Sequence, residues 1–228
     1  MSKLVLFIHV FRTGGSSIGK VLGDTLGIRY ARIHTEQIVK DAGHHQRPKD
    51  VVMGHFPYGI HHFIGRPCVY VTMLRDPVDR SISGYFSPGR GKDRKAGDYI
   101  EAVRRGHGYE ARPNAQLRLL CGWPPDVIRG GFYNFINRDV DESHLEQAKR
   151  NLDTFRYVGL HEHWEHDLRA IQQMFGWPKG KTKGVRENAS RKRPSVSELP
   201  QDVVATVRQA NHLDQALYEY ARELWEKQ

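Results

Sequence analysis

Residues 3–20, KLVLFIHVFRTGGSSIGK, decide the fold. The first half, KLVLFIH, is a short β-rich apolar run of the kind that forms a buried strand. RTGGSSIGK follows at once, and from Ile18 the stretch IGKVLGDTLG carries apolar residues at helical spacing. Strand, glycine-rich turn and helix in direct succession make an anion cradle. Gly14 and Gly15 tolerate unusual dihedrals, so backbone N–H groups can turn toward one point, and the helix N-terminus adds partial positive charge there. Thr13, Ser16 and Ser17 supply hydroxyl donors, and Arg12 supplies a planar cation suited to phosphate or sulfate.

Working outward, a second strand is expected at 51–54 (VVMG) and a third at 68–74 (CVYVTML). The continuous apolar character of the third marks a strand covered on both faces, as in parallel sheets. RDPVDRSISGYF follows it, with Asp76 as N-cap and Pro77 in the first helical turn. SPGRGKDRKAGD (87–98) has the composition of a mobile loop, and helices are expected near 98–106 and 113–121. Asp141 and Glu142 open an amphipathic helix to about 153, RYVGL makes a short strand, and HWEHDLRAIQQMF a further helix. PKGKTKGVRENASRKRP (178–194) carries seven Lys or Arg against one Glu, a net +6, and about 200–226 reads as one terminal helix. This alternation predicts an α/β fold with a mainly parallel β-sheet flanked by helices, whose ligand site lies beyond the carboxyl ends of the strands.

The chain has 228 residues, 39% hydrophobic and 27% charged, which suits one domain over 1–228. No apolar stretch approaches the length of a bilayer span, and the opening run stops at His9 without a small-residue cleavage site. Cys68 and Cys121 are the only cysteines, neither a disulfide framework nor a metal spacing, so a reducing, cytoplasmic setting is expected. The net charge of +9 favours anionic partners without choosing among them.

Gly14, four residues, Gly19 and Lys20 nearly form a nucleotide-triphosphate loop, which motivates a kinase as the alternative reading. Such a loop next requires Ser or Thr to hold magnesium, and this chain has Val21. The +6 loop motivates a third reading, a non-catalytic basic module for polyanions. A second anion motif decides among them: Arg75 ends the third strand and Ser83 follows eight residues later, on the helix begun by Pro77, so both can reach one phosphate.

Together these segments resemble the sulfotransferases that use 3′-phosphoadenosine 5′-phosphosulfate (PAPS). FIHVFRTGGSSI is similar to their 5′-phosphosulfate loop and LRDPVDRSISGYF to their 3′-phosphate motif. The resemblance to carbohydrate sulfotransferases, typified by heparan sulfate 2-O- and 6-O-sulfotransferases, continues through GHFPYGI (54–60), NAQLRLLCG (114–122), YVGLHEHWEHDL (157–168) and RENAS (186–190). It implies a fold like that of P-loop NTPases and transfer of a sulfuryl group from PAPS to a hydroxyl, with a glycan as the acceptor. It assigns Arg12, Thr13, Gly14, Gly15, Ser16 and Ser17 to the 5′-phosphosulfate and Arg75 and Ser83 to the 3′-phosphate. Arg186, Asn188 and Ser190 match a late nucleotide-contacting loop. Arg12 stands where the family usually has Lys, and Phe11 where it has Pro.

A sugar hydroxyl needs a base, and His55, at the end of the second strand, matches the family's catalytic histidine. Arg12 joins it at the departing oxygen. Asn114, Gln116 and Arg118 resemble a motif near the acceptor cleft, with helix-surface positions as the alternative, and Arg118 is carried forward as a substrate-binding candidate. HEHWEH (161–166) raises a metal reading on His163 and Asp167, but no third ligand is evident. The expectation is no metal, no nucleic acid and no membrane span.

Overall fold

The computed structural model describes residues 3–40, 50–87, 95–105, 113–180, 185 and 193–228. Alternation within the opening run sets the layers. Leu4, Leu6 and Ile8 of β1 (Leu4–Ile8) face one hydrophobic cluster, while Val5 and Phe7 face another. A strand buried on both faces belongs at the centre of a sheet, and β1 is there. α1 (Gly15–Leu26), β2 (Tyr30–Arg32), α2 (Thr35–Lys40), β3 (Val51–Gly54) and β4 (Cys68–Leu74) follow it. Next come α3 (Pro77–Tyr85), α4 (Ala96–Arg104), α5 (Ala115–Leu120), α6 (Pro125–Arg129), α7 (Phe132–Ile136) and α8 (Glu142–Leu152). β5 (Tyr157–Leu160), α9 (Trp164–Met174), α10 (Gln201–Ala210) and α11 (His212–Trp225) complete the order.

The five strands form one parallel sheet in the order β2-β3-β1-β4-β5. α1 and α9 cover one face through Ile18, Val21, Leu22, Leu168 and Ile171. α5, α8 and α11 cover the other through Leu117, Leu120, Leu145, Leu152, Leu213 and Leu217. Each such aliphatic side chain, fully buried, contributes roughly 1.5–3 kcal/mol. A satellite cluster joins α3, α4 and α10 around Val78, Ile82, Tyr99, Val103 and Val203.

Register then determines the site. Ile8 lies opposite Gly54 and Thr72, and Leu74 opposite Leu160, so β1, β3, β4 and β5 end close to one level. The residues that follow those ends are His9, His55, Arg75 and His161. Asp76 caps α3 by accepting the Asp79 N–H at 2.8 Å, with Pro77 in the first turn as the sequence predicts.

Two features depart from expectation. β2 and α2 precede the strand at 51–54, making it third in the chain, because three residues of strand are too few for a periodic signal. The segment 200–226 is two helices broken at Asn211, whose side chain is drawn into a buried network. Its Nδ2 donates to Val207 O at 2.9 Å, and its Oδ1 accepts from Asn114 N at 3.1 Å and Arg80 Nη2 at 3.2 Å.

Gly54 passes so near the chain leaving β2 that a Cβ there would lie 1.8 Å from the Ile33 carbonyl oxygen. Backbone cannot move aside as a flexible side chain can. Gly54→Ala is therefore expected to destabilise the protein by about 1–3 kcal/mol through overpacking. The urea midpoint of unfolding measures this, and an unchanged midpoint would show that β2 is not held at this crossing.

Candidate active site

The two anion motifs meet. Arg12, in the left-handed region at φ 66, directs its guanidinium across to α3, where Nε donates to Ser83 Oγ at 3.1 Å and Nη1 to Ser87 Oγ at 3.2 Å. In return Arg75 Nη1 donates to the Arg12 carbonyl at 2.7 Å. The turn and the end of β4 are thus tied by bonds running both ways between residues more than sixty positions apart. Gly14, at φ 82, completes the turn into α1. Gly15 is required by space, since a Cβ would lie 2.0 Å from the His9 ring. Ser16 is partly exposed and Ser17 buried in the first turn of α1. The Thr13 hydroxyl points inward and donates to Val10 O at 2.9 Å, so it braces the turn and is not presented to an anion.

Arg75 is held from three directions. Its Nε and Nη2 donate to Asp79 Oδ2 at 2.8 and 2.5 Å. The Gln116 side-chain amide accepts from Arg75 N at 3.1 Å and donates to Arg75 O at 2.9 Å, acting as a substitute strand beyond the end of β4. Asp79 also accepts from Arg193. Burial opposes ionisation of Asp79, but hydrogen bonding to Arg193 and the charge of Arg75 outweigh it and hold the carboxyl below the usual range. Two of the five Arg75 N–H groups have no partner among the described residues.

His55 is clamped on both ring faces, by Phe11 at 4.0 Å and His9 at 4.3 Å between centroids. Its Nδ1 lies 2.6 Å from the His9 carbonyl, and since a carbonyl only accepts, Nδ1 carries the proton and Nε2 keeps a lone pair. Burial lowers its pKa to about 4; the His9 hydrogen bond resists this, and the Arg32 charge adds to the fall. His9 is likewise held well below the usual imidazole value, by burial first and then by its neighbour His55. His161 also falls to about 4, through burial and then the Arg75 charge. Three neutral imidazoles therefore line the carboxyl edge of the sheet.

His161 and Asp79 escaped the sequence reading. HEHWEH drew attention to His163 and Asp167, yet His163 stacks on Trp225 at 4.4 Å. Asp167 is buried and accepts from Leu160 N, Tyr157 Oη and Trp225 Nε1 at 2.6, 3.1 and 2.9 Å. His161 is the one at the turn, its Nδ1 2.9 Å from where a Cβ on Gly14 would be. A strand-end position one residue after β5 is the signal that could have found it. Asn114, Gln116 and Arg118 are buried, not on a helix surface. Arg118 Nε donates to Pro113 O at 3.1 Å and its carbonyl accepts from Trp123 Nε1 at 2.7 Å, so both its side chain and its backbone brace the segment around it. Arg186, Asn188 and Ser190 lie outside the described residues. Lys20, the lysine of the triphosphate-loop reading, faces solvent on α1 and pairs with Asp24 at 3.4 Å, while Val21 is in the core.

Comparison with known proteins identifies the family and the fold. The pattern of the sulfotransferase family matches residues 2–221. Heparan-sulfate 6-O-sulfotransferase 3-B of Danio rerio is 26% identical over 183 residues, covering 68% of this chain and 42% of that protein. Heparan-sulfate 6-O-sulfotransferase 1 of Homo sapiens is 26% identical over 191 residues, covering 71% and 44%. This chain thus spans less than half the length of these relatives. In fold it is similar to a mouse sulfotransferase solved in complex with PAP, at a TM-score of 0.52 and 9% identity, over 96% of this chain and 89% of that one.

The three depressed imidazoles imply a pH signature. Each binds a proton more readily unfolded, near 6.5, than folded, so its contribution is complete above 6.5 and disappears as pH falls through the folded value. Stability is expected to drop by on the order of several kcal/mol between pH 6.5 and 4. Thermal midpoints across that window measure it, and His161→Gln should flatten the slope. A midpoint that held level from pH 7 to 4 would contradict the buried, neutral state.

Proposed function

This chain belongs to the sulfotransferase family, and from that premise we propose that it transfers the sulfuryl group of PAPS to a carbohydrate hydroxyl. The single observation that carries the proposal is the meeting of the Arg12 and Arg75 motifs, which provides two anion-binding stations on one edge of one sheet. A nucleotide with a phosphate at each end of its ribose is the ligand that needs both. The mouse structure with PAP supports the nucleotide, and the heparan-sulfate relatives support a glycan acceptor.

In this reading the N–H groups of Gly14, Gly15, Ser16 and Ser17 hold the 5′-phosphosulfate. Arg75 and Ser83 hold the 3′-phosphate, and Arg186, Asn188 and Ser190 contribute by resemblance. PAPS supplies an activated sulfuryl group with a good leaving oxygen. Arg12 rests on two neutral serine hydroxyls, and an anionic oxygen outcompetes them because charge-assisted hydrogen bonds are roughly twice as strong. Its guanidinium then neutralises charge developing on the oxygen that departs.

His55 accepts the acceptor's proton at Nε2 as the acceptor oxygen bonds to sulfur and the sulfur–phosphate oxygen bond breaks. His9 O fixes the tautomer required, and the stacked rings fix the orientation. The depressed pKa keeps the base unprotonated at neutral pH and below. None of these steps calls on a metal.

Calorimetry with PAP and with adenosine 5′-monophosphate tests the binding half. PAP is expected to bind at least about tenfold more tightly, from charged hydrogen bonds of about 1.5–3 kcal/mol, and Arg75→Ala should erase the difference. For the chemical half, His55→Gln should keep PAP affinity and lower kcat by about 10²–10⁴-fold. Equal affinity for the two nucleotides would sink the assignment.

A further inference from the structure

The 3′-phosphate station contains a group that works against its own ligand. A site for a phosphate dianion ordinarily gathers positive charge, and Arg75 supplies it here. Yet Asp79, in the first turn of α3, sets a carboxylate directly on that guanidinium. Nε and Nη2 form one of the two edges on which a guanidinium offers paired N–H groups to an oxyanion, and Asp79 Oδ2 takes both. The N–H groups left over are one on Nη1 and one on Nη2, because Nη1 gives its other to the Arg12 carbonyl. Glu162, whose Oε1 accepts from Asp76 N at 3.3 Å, is a second carboxylate whose charge reaches Arg75, and Arg193 is a second cation. Two cations and two carboxylates meet at this station and cancel.

A brace for Arg75 is the ordinary explanation of such a carboxylate, and the geometry makes it redundant. Gln116 fixes the Arg75 backbone on both sides, the Arg12 carbonyl fixes Nη1, and the residue is buried. Nor does a brace need a second arginine. Asp79 is shared, with Oδ1 accepting from Arg193 Nη1 and Oδ2 from Arg193 Nη2 at 3.4 Å. Arg193 keeps the carboxylate paired when Arg75 turns its charge toward another anion.

We propose that Asp79 is an internal competitor of the 3′-phosphate, a positioning residue that acts through Arg75 to loosen the grip on the nucleotide and let the spent PAP depart. Donor and product carry the same 3′-phosphate, so binding energy at that group holds both alike and slows release without lowering the barrier to transfer. A phosphate dianion outcompetes the single charge of a carboxylate for Arg75, but by less than it would gain on an unopposed guanidinium. The inference rests on the nucleotide reading above.

The test follows PAP by calorimetry and by stopped-flow displacement, with adenosine 5′-monophosphate as the control that lacks the 3′-phosphate. Asp79→Asn keeps the size of the side chain and the backbone N–H on Asp76, and removes the charge. It is expected to bind PAP about tenfold more tightly and release it about tenfold more slowly, a modest share of a close charge–charge interaction. Its affinity for adenosine 5′-monophosphate should not change, and KM for PAPS and kcat should fall together. Asp79→Ala should move in the same direction, and Asp79→Glu, which keeps the charge, should stay near the unmodified protein. Weaker or unchanged PAP binding in the two neutral variants, or failure of both to fold, makes Asp79 a brace and overturns the inference. Equal tightening of both nucleotides overturns it as well, since the effect then lies elsewhere than at the 3′ station. In each of those cases an unmodified protein that still prefers PAP leaves the nucleotide reading standing, whereas one that binds both nucleotides equally overturns both.

Discussion

Everything at the working edge depends on the bond from Arg75 to the carbonyl of Arg12 and on its return through the Arg12 guanidinium to Ser83. Neither motif is an anion site of useful specificity alone. A glycine turn before a helix attracts any anion, and an Arg at a strand end serves as readily in an ordinary ion pair. Joined, they fix the separation of two charged stations, and a fixed separation is what distinguishes one nucleotide from another. The Arg12 backbone adopts a positive φ, which for a residue with a side chain persists only when its surroundings hold it. The Arg75 N–H on its carbonyl is part of that hold.

Behind Arg75 stands a buried polar scaffold. Gln116 takes both backbone groups of Arg75, and Asp214 accepts the N–H groups of Gln116 and Leu117 at 3.1 and 2.8 Å. Asp214 also pairs with fully buried Arg80 at 3.5 Å. A paired buried charge adds little net stability against an apolar equivalent, but loss of one partner leaves the other uncompensated. The scaffold is therefore better read as positioning: it links α5, α11 and the end of β4 so that Arg75 has one location.

Neutrality at the base side has the same economy of cause. His9, His55 and His161 lie where burial and neighbouring cations both penalise a positive charge. The edge thus concentrates permanent cations on Arg12 and Arg75 and keeps its imidazoles uncharged, the state that the proposed role of His55 requires. A protonated His55 would bring a buried charge within reach of Arg32 and lose the Nε2 lone pair at once.

The sequence alone determined the layered α/β arrangement, the burial of the first strand and the cap at Asp76, and it singled out Arg12, Arg75 and Ser83, which the fold joins by hydrogen bonds. Those follow from local rules: two-face burial reads as continuous hydrophobicity, and glycines before a helix read as a turn. It did not reveal β2, the break at Asn211, the inward Thr13 hydroxyl, the buried setting of Arg118, or the parts played by Asp79, His161 and Gln116. Each of these depends on a neighbour distant in the chain, as Gln116 depends on Arg75 and Asn211 on Asn114 and Arg80. Only tertiary structure decided them, because strand register and helix docking choose which polar groups meet, and residue spacing carries no record of that choice.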